Sequence, residues 1–144
     1  MATQVAVIGS GTEHEGAAEE VGRLLAARGC VVVTGGLGEV MAAAHRGAKA
    51  AGGTTIAILP GERRTDANPW ADHVVVTGVG HARNLAVAAS GDAVIAVGGS
   101  WGTLAEIAFA MRLGRRVVVL DGPSVEGVPR AATPADAVDA VLGR

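Results

Sequence analysis

Aromatic side chains are almost missing from this chain: 144 residues include one Phe, two Trp and no Tyr, or 2%. A core without rings has to be assembled from Val, Ala, Leu and Ile, and the 49% of hydrophobic residues supply enough of them. Cysteine occurs once, at Cys30, so no internal disulfide can form. Its apolar setting marks a buried thiol of a cytosolic protein rather than a nucleophile, and the expected localisation is cytoplasmic. Basic blocks are lacking and the net charge is −2, which argues against a dedicated nucleic-acid binder. No apolar run approaches the ~20 residues that cross a bilayer. Met1-Ala2-Thr3-Gln4 lacks the basic start of a signal peptide and runs straight into a strand. His14, His45, His73 and His81 show no metal-ligand spacing, so no metal site is expected. A small molecule and further copies of the chain are left as expected partners, without nucleic acid or membrane.

What the chain has in excess is glycine, 22 residues, which implies several turns built from backbone. Between those turns the pattern alternates. Val5 to Ile8, Val31 to Val33, Thr54 to Leu59, Val74 to Val76, Ala93 to Val97 and Val117 to Leu120 read as strands. Helical spacing covers 15–28, about 38–51, 81–90, 103–113 and a segment from Pro134. The strands are continuous apolar runs rather than alternating ones, as in a parallel sheet covered on both faces. The expectation is one α/β domain over 1–144, a doubly wound Rossmann-like sandwich with a parallel sheet of about six strands.

Three glycine turns, Gly9-Ser10-Gly11, Gly35-Gly36 and Gly98 to Gly102, each follow the carboxyl end of a predicted strand. In a parallel sheet those ends share one edge, where ligands bind. Such convergence favours a nucleotide-sized, phosphate-bearing ligand. Gly9-x-Gly11 is followed by His14 where the dinucleotide fingerprint needs a glycine, which speaks against NAD. The run Gly98-Gly99-Ser100-Trp101-Gly102-Thr103 opens a helix, and its unpaired N–H groups form a candidate phosphate cradle. Glu106 lies one turn further on.

These residues resemble the LONELY GUY-like superfamily, and more closely its branch that includes the molybdenum cofactor carrier proteins. The resemblance runs from Val5 to about Gly122 and is strongest at Thr34-Gly35-Gly36, Ala82-Arg83-Asn84 and Gly98 to Glu106. LONELY GUY enzymes carry Pro-Gly-Gly-x-Gly-Thr-x-x-Glu. Gly102, Thr103 and Glu106 match it, while Gly98 stands for its proline and Ser100 for its second internal glycine. Arg83 keeps the arginine of an Arg-Lys pair, Asn84 replaces the lysine, and Ala105 replaces a frequent further acid. These departures fit the carrier-like branch. Such proteins are often mislabelled lysine decarboxylases. A pyridoxal enzyme needs a Schiff-base lysine, and the only lysine, Lys49, lies in a predicted helix without a cofactor signature.

The resemblance implies a nucleoside-5′-monophosphate N-glycosidase that releases free base and ribose 5-phosphate. Glu106 and Arg83 would be its catalytic pair, and no cofactor would be required. The alternative is a non-catalytic binder or carrier of a nucleotide or of molybdenum cofactor. Gly9, Ser10, Gly35, Gly36, Asn84, Gly98, Gly99, Ser100, Trp101, Gly102 and Thr103 are the candidate ligand residues. Glu106 has a second reading, since Thr103-Leu104-Ala105-Glu106 is also a capping box. Arg83 falls in the first turn of its helix, where a cation opposes the dipole unless an anion is near. Trp101 can stack on a base or cover a subunit interface. Arg63 and Arg64 sit in the long polar loop at 60–72, either solvated or on a lid. The helix at 103–113 is apolar over most of its circumference, which calls for a homodimer or homotetramer.

Overall fold

A run such as Val5-Ala6-Val7-Ile8 sends alternate side chains to opposite faces of a sheet, so both faces need cover. The computed structural model, which describes residues 1–143, supplies that cover with helices. In chain order the elements are β1 (Gln4–Ser10), α1 (Glu15–Ala27), β2 (Val31–Thr34), α2 (Glu39–Ala50), β3 (Thr55–Leu59), β4 (His73–Val76), α3 (Arg83–Ser90), β5 (Ala93–Gly98), α4 (Trp101–Arg112), β6 (Arg116–Leu120), β7 (Arg130–Ala131) and α5 (Pro134–Leu142). The strands form one seven-stranded sheet, ordered β4-β3-β2-β1-β5-β6-β7, in which every pair is parallel. The doubly wound α/β expectation holds.

Alternation divides the core in two. Val5 and Val7 of β1, with Val32, Ile95 and Val97, pack with Leu25 of α1, Ala44 of α2 and Val138 of α5. Ala6 and Ile8, with Val33, Val94 and Ala96, pack with Val87 of α3 and Ile107 of α4. On the first side α1 and α2 approach closely. A Cβ on Gly22 would lie 1.9 Å from the Ala44 carbonyl oxygen, and one on Gly47 1.9 Å from that of Glu19. Part of the glycine surplus thus serves helix contact rather than turns.

Three details depart from the sequence reading. The sheet gains β7, two residues paired as Val119 with Arg130 and Leu120 with Ala131. Nothing apolar and periodic marks it, because backbone pairing with β6 is what creates it. The helix expected from residue 81 begins instead with a 3₁₀ turn, Gly80–Ala82, before α3. The helix expected at 103 starts at Trp101, with Ser100 as its N-cap.

From β1 the chain winds outward to β4, then returns to place β5 on the other flank of β1. That reversal opens a crevice beyond the carboxyl ends of β1 and β5, where Ser10 and Gly98 are in register.

Candidate functional site

Glycine shapes the crevice where a side chain could not fit. Gly9, at φ +139°, presses on β5, and a Cβ there would lie 1.8 Å from the Val97 carbonyl oxygen. Gly98, at φ +66°, turns the chain from β5 into α4, and its Cβ would fall 2.4 Å from His14 Cδ2. The two turns therefore pack directly on each other. The first amides of α4 have no intrahelical acceptor, and Ser100 makes no side-chain cap bond to them. Gly102 and Thr103 face the crevice there.

The crevice holds a cavity of about 410 Å³. β1 contributes Gly9 and Ser10, α4 and its cap contribute Ser100, Gly102, Thr103 and Glu106, and α3 contributes Arg83 and Asn84. Glu106 is only 4% exposed and Arg83 8%. Among the described residues, Glu106 Oε2 and Arg83 Nε have no hydrogen-bond partner. Arg83 Nη1 donates to Asn84 Oδ1 at 2.5 Å. Burial pushes the Glu106 carboxyl up to about 7, with the Arg83 charge pulling the other way. Burial likewise lowers the Arg83 guanidinium, opposed by Glu106. The cavity therefore offers a donor, an acceptor that gains or loses its proton near neutrality, and helix amides for an anion.

Eight of the residues singled out from the sequence line this cavity: Gly9, Ser10, Arg83, Asn84, Ser100, Gly102, Thr103 and Glu106. Gly35, Gly98 and Gly99 stand outside the lining but pack against its residues Arg83, Ser10 and Thr103, and Gly36 packs on Ala57 and Leu59 of β3. The guanidinium of Arg83 rests on Gly35, where a Cβ would lie 2.7 Å from Cζ. Trp101 stands outside the lining at 86% exposure. The capping box does not form, because Thr103 is the third residue of α4 rather than its cap, which leaves Glu106 in the second turn. A surface arginine is likewise overturned for Arg83 by its burial. Arg63 and Arg64 are exposed, Arg63 pairing with Asp66 at 3.3 Å.

The opposite wall was not read from the sequence. Leu37, Met41, Pro60, Gly80 and His81 complete the lining. Leu37 directly follows the Gly35-Gly36 turn, and Met41 stands one helical turn beyond it. That spacing was the available signal.

Residues 2–140 match the SLOG cluster4 family. An uncharacterized protein of Archaeoglobus fulgidus is 46% identical over 141 residues, covering 94% of this chain and 92% of that protein. The molybdenum cofactor binding protein from the phototrophic bacterium Rippkaea orientalis has the same fold at TM-score 0.92 and 31% identity, over 99% of this chain and 97% of that one. The molybdenum cofactor carrier protein MCP from Chlamydomonas reinhardtii gives TM-score 0.91 and 33% identity, over 99% and 98%.

Proposed function

The chain belongs to the SLOG cluster4 family, and from that premise we propose that it binds a phosphate-bearing, nucleotide-like small molecule in the crevice between β1 and β5. A phosphorylated pterin of the molybdenum cofactor kind is the first candidate cargo, since two similar structures are of proteins named for binding or carrying it. One observation carries the reading. Arg83 Nε and Glu106 Oε2 are a buried donor and acceptor without partners, beside a cavity of about 410 Å³. Orphaned buried polar atoms are costly, of order 1–3 kcal/mol each, and a ligand that supplies the missing bonds recovers that energy. The phosphate belongs at the amides of Gly99 to Thr103 and the polar edge of the ring system between Arg83 and Glu106.

The second reading is a nucleoside-5′-monophosphate N-glycosidase. The observation favouring it is the Glu106 carboxyl held near 7, in the range where a general acid–base works at neutral pH. Water would add to C1′ of the ribose as the bond to the base breaks, giving free base and ribose 5-phosphate. Glu106 would take the proton from water, the base would leave protonated at its glycosidic nitrogen, and Arg83 would hold the ribose while the phosphate rests on the Gly99–Thr103 amides.

One experiment separates the two. Purified protein is incubated with a panel of nucleoside monophosphates, binding is followed by calorimetry and free base by chromatography. Binding without release is the expected outcome, and Arg83→Ala weakens it tenfold or more, the scale of one charge-assisted contact of about 1.5 kcal/mol. Release that falls by about 10²–10⁴ in Glu106→Gln would establish the glycosidase. A bound phosphate lying away from the Gly99–Thr103 turn would overturn both.

The reading includes a homodimer or homotetramer. On α4, Trp101, Ala105, Ala108 and Met111 share an exposed face, and Leu85 of the neighbouring α3 is exposed as well.

A further inference from the structure

His45 on α2 is fully buried and lines no part of the cavity. Its hydrogen bonds fix its state. Asn68 Oδ1 accepts the Trp70 N–H at 3.0 Å, which orients the amide so that Nδ2 faces His45 Nδ1 at 3.1 Å and the Gly36 carbonyl at 3.3 Å. An amide nitrogen only donates, so Nδ1 accepts and the ring proton resides on Nε2. Nε2 donates to Thr34 Oγ1 at 3.2 Å. Burial pushes the imidazole down to about 4, in keeping with a neutral ring.

The ring also meets the backbone of Val32 and Ile56, but the two side chains it bonds, Thr34 and Asn68, lead to one turn. Thr34 Oγ1 also accepts the Gly36 N–H at 3.0 Å, and the Gly36 carbonyl accepts the backbone N–H of Asn68 at 2.9 Å. Both polar groups of Gly36 are thereby held while the residue adopts φ +80°. The preceding residue is Gly35, the floor on which the Arg83 guanidinium rests.

We propose that His45 is a positioning residue: with Thr34 and Asn68 it clamps the Gly35–Gly36 turn, and the clamped turn sets where the Arg83 guanidinium lies relative to Glu106. The same clamp ties the 60–72 segment, whose Pro60 lines the cavity, to the cavity floor. The proposal deepens the reading of this cavity as a binding site, but it does not depend on which ligand enters.

Its test is the titration of the Glu106 carboxyl without ligand, followed by ¹³C NMR in wild type, Asn68→Ala, His45→Phe and His45→Gln, with Tm recorded for each. The Arg83 charge draws the Glu106 carboxyl down against burial, so a guanidinium displaced from its floor moves the midpoint. In Asn68→Ala and His45→Phe the midpoint rises by about half a pH unit or more. In His45→Gln, whose amide N–H reaches toward Thr34 in place of Nε2–H, it returns toward the wild-type value. A lowered Tm with an unmoved midpoint in both clamp variants would make His45 a core residue alone and overturn the proposal. Should His45→Phe not fold, Asn68→Ala decides, being a change at a half-buried loop position. No nucleotide or pterin enters the measurement, so failure of the binding reading and failure of the clamp give different results.

Discussion

At Glu106 burial and the Arg83 charge pull the carboxyl in opposite directions, and burial prevails, raising it from 4.5 to about 7. The sign of the consequence follows from proton counting. Below pH 4.5 the group is protonated in folded and unfolded chains alike; between there and about 7 only the unfolded chain releases the proton, so stability falls across that window. The full difference corresponds to about 3 kcal/mol. Glu106→Gln is therefore expected to match wild type in urea unfolding near pH 4 and to exceed it by up to about 3 kcal/mol near pH 8. Equal stability at the higher pH would mean that the carboxylate is solvated or paired in solution. Glu106 and the glycine turns were legible in the sequence because a strand, a glycine turn and a helix follow one another along the chain, and Arg83 through the resemblance at Ala82-Arg83-Asn84 and its place in the first turn of a helix. Pro60 and the His45–Asn68 pair were not, because the 60–72 segment meets the Gly35–Gly36 turn only by folding back on it, whereas Leu37 beside that turn and His81 two residues before Arg83 lay next to residues already singled out. Spacing also misled in one place: Thr103 and Glu106 have capping-box separation, but the helix begins before them.

Among the elements, α1 and α2 show how the chain forms a core with so few rings. Gly22 and Gly47 each admit the backbone of the other helix at a distance that no Cβ allows, so contact area replaces side-chain bulk. Gly47→Ala should destabilise by about 3 kcal/mol or more, the upper end of overpacking, because the obstructing atom is a backbone carbonyl that cannot swing aside. Thermal and urea unfolding read this directly, and a loss below about 0.5 kcal/mol would show that the helices can part freely. The strands and helices were largely visible in the sequence as apolar runs separated by glycine. Neither the pairing of α1 with α2 nor β7 was visible. Glycines inside a helix carry no mark of the partner they admit, and a two-residue strand has no period.

For the molecule as a whole, the resemblance carried by Thr34-Gly35-Gly36, Ala82-Arg83-Asn84 and the Gly98–Glu106 run extends over residues 2–140. The expected assembly rests on the outer face of α4. Trp101→Glu and Met111→Glu each place a charge on that face, and sedimentation at micromolar concentration should show the wild type associated and the double variant monomeric. A monomeric wild type would remove the assembly from the reading. The scarcity of rings has one more outcome, an optical one. Without tyrosine, near-ultraviolet emission comes from two indoles. Trp70 lies beneath the Arg46 guanidinium, whose Cζ is 5.2 Å from the ring centroid, and its backbone N–H donates to Asn68 Oδ1, whereas Trp101 is 86% exposed on α4. A Trp101→Phe protein would thus fluoresce from Trp70 beside Asn68 alone and a Trp70→Phe protein from the outer face of α4 alone, so the chain carries two separable built-in reporters and needs no dye.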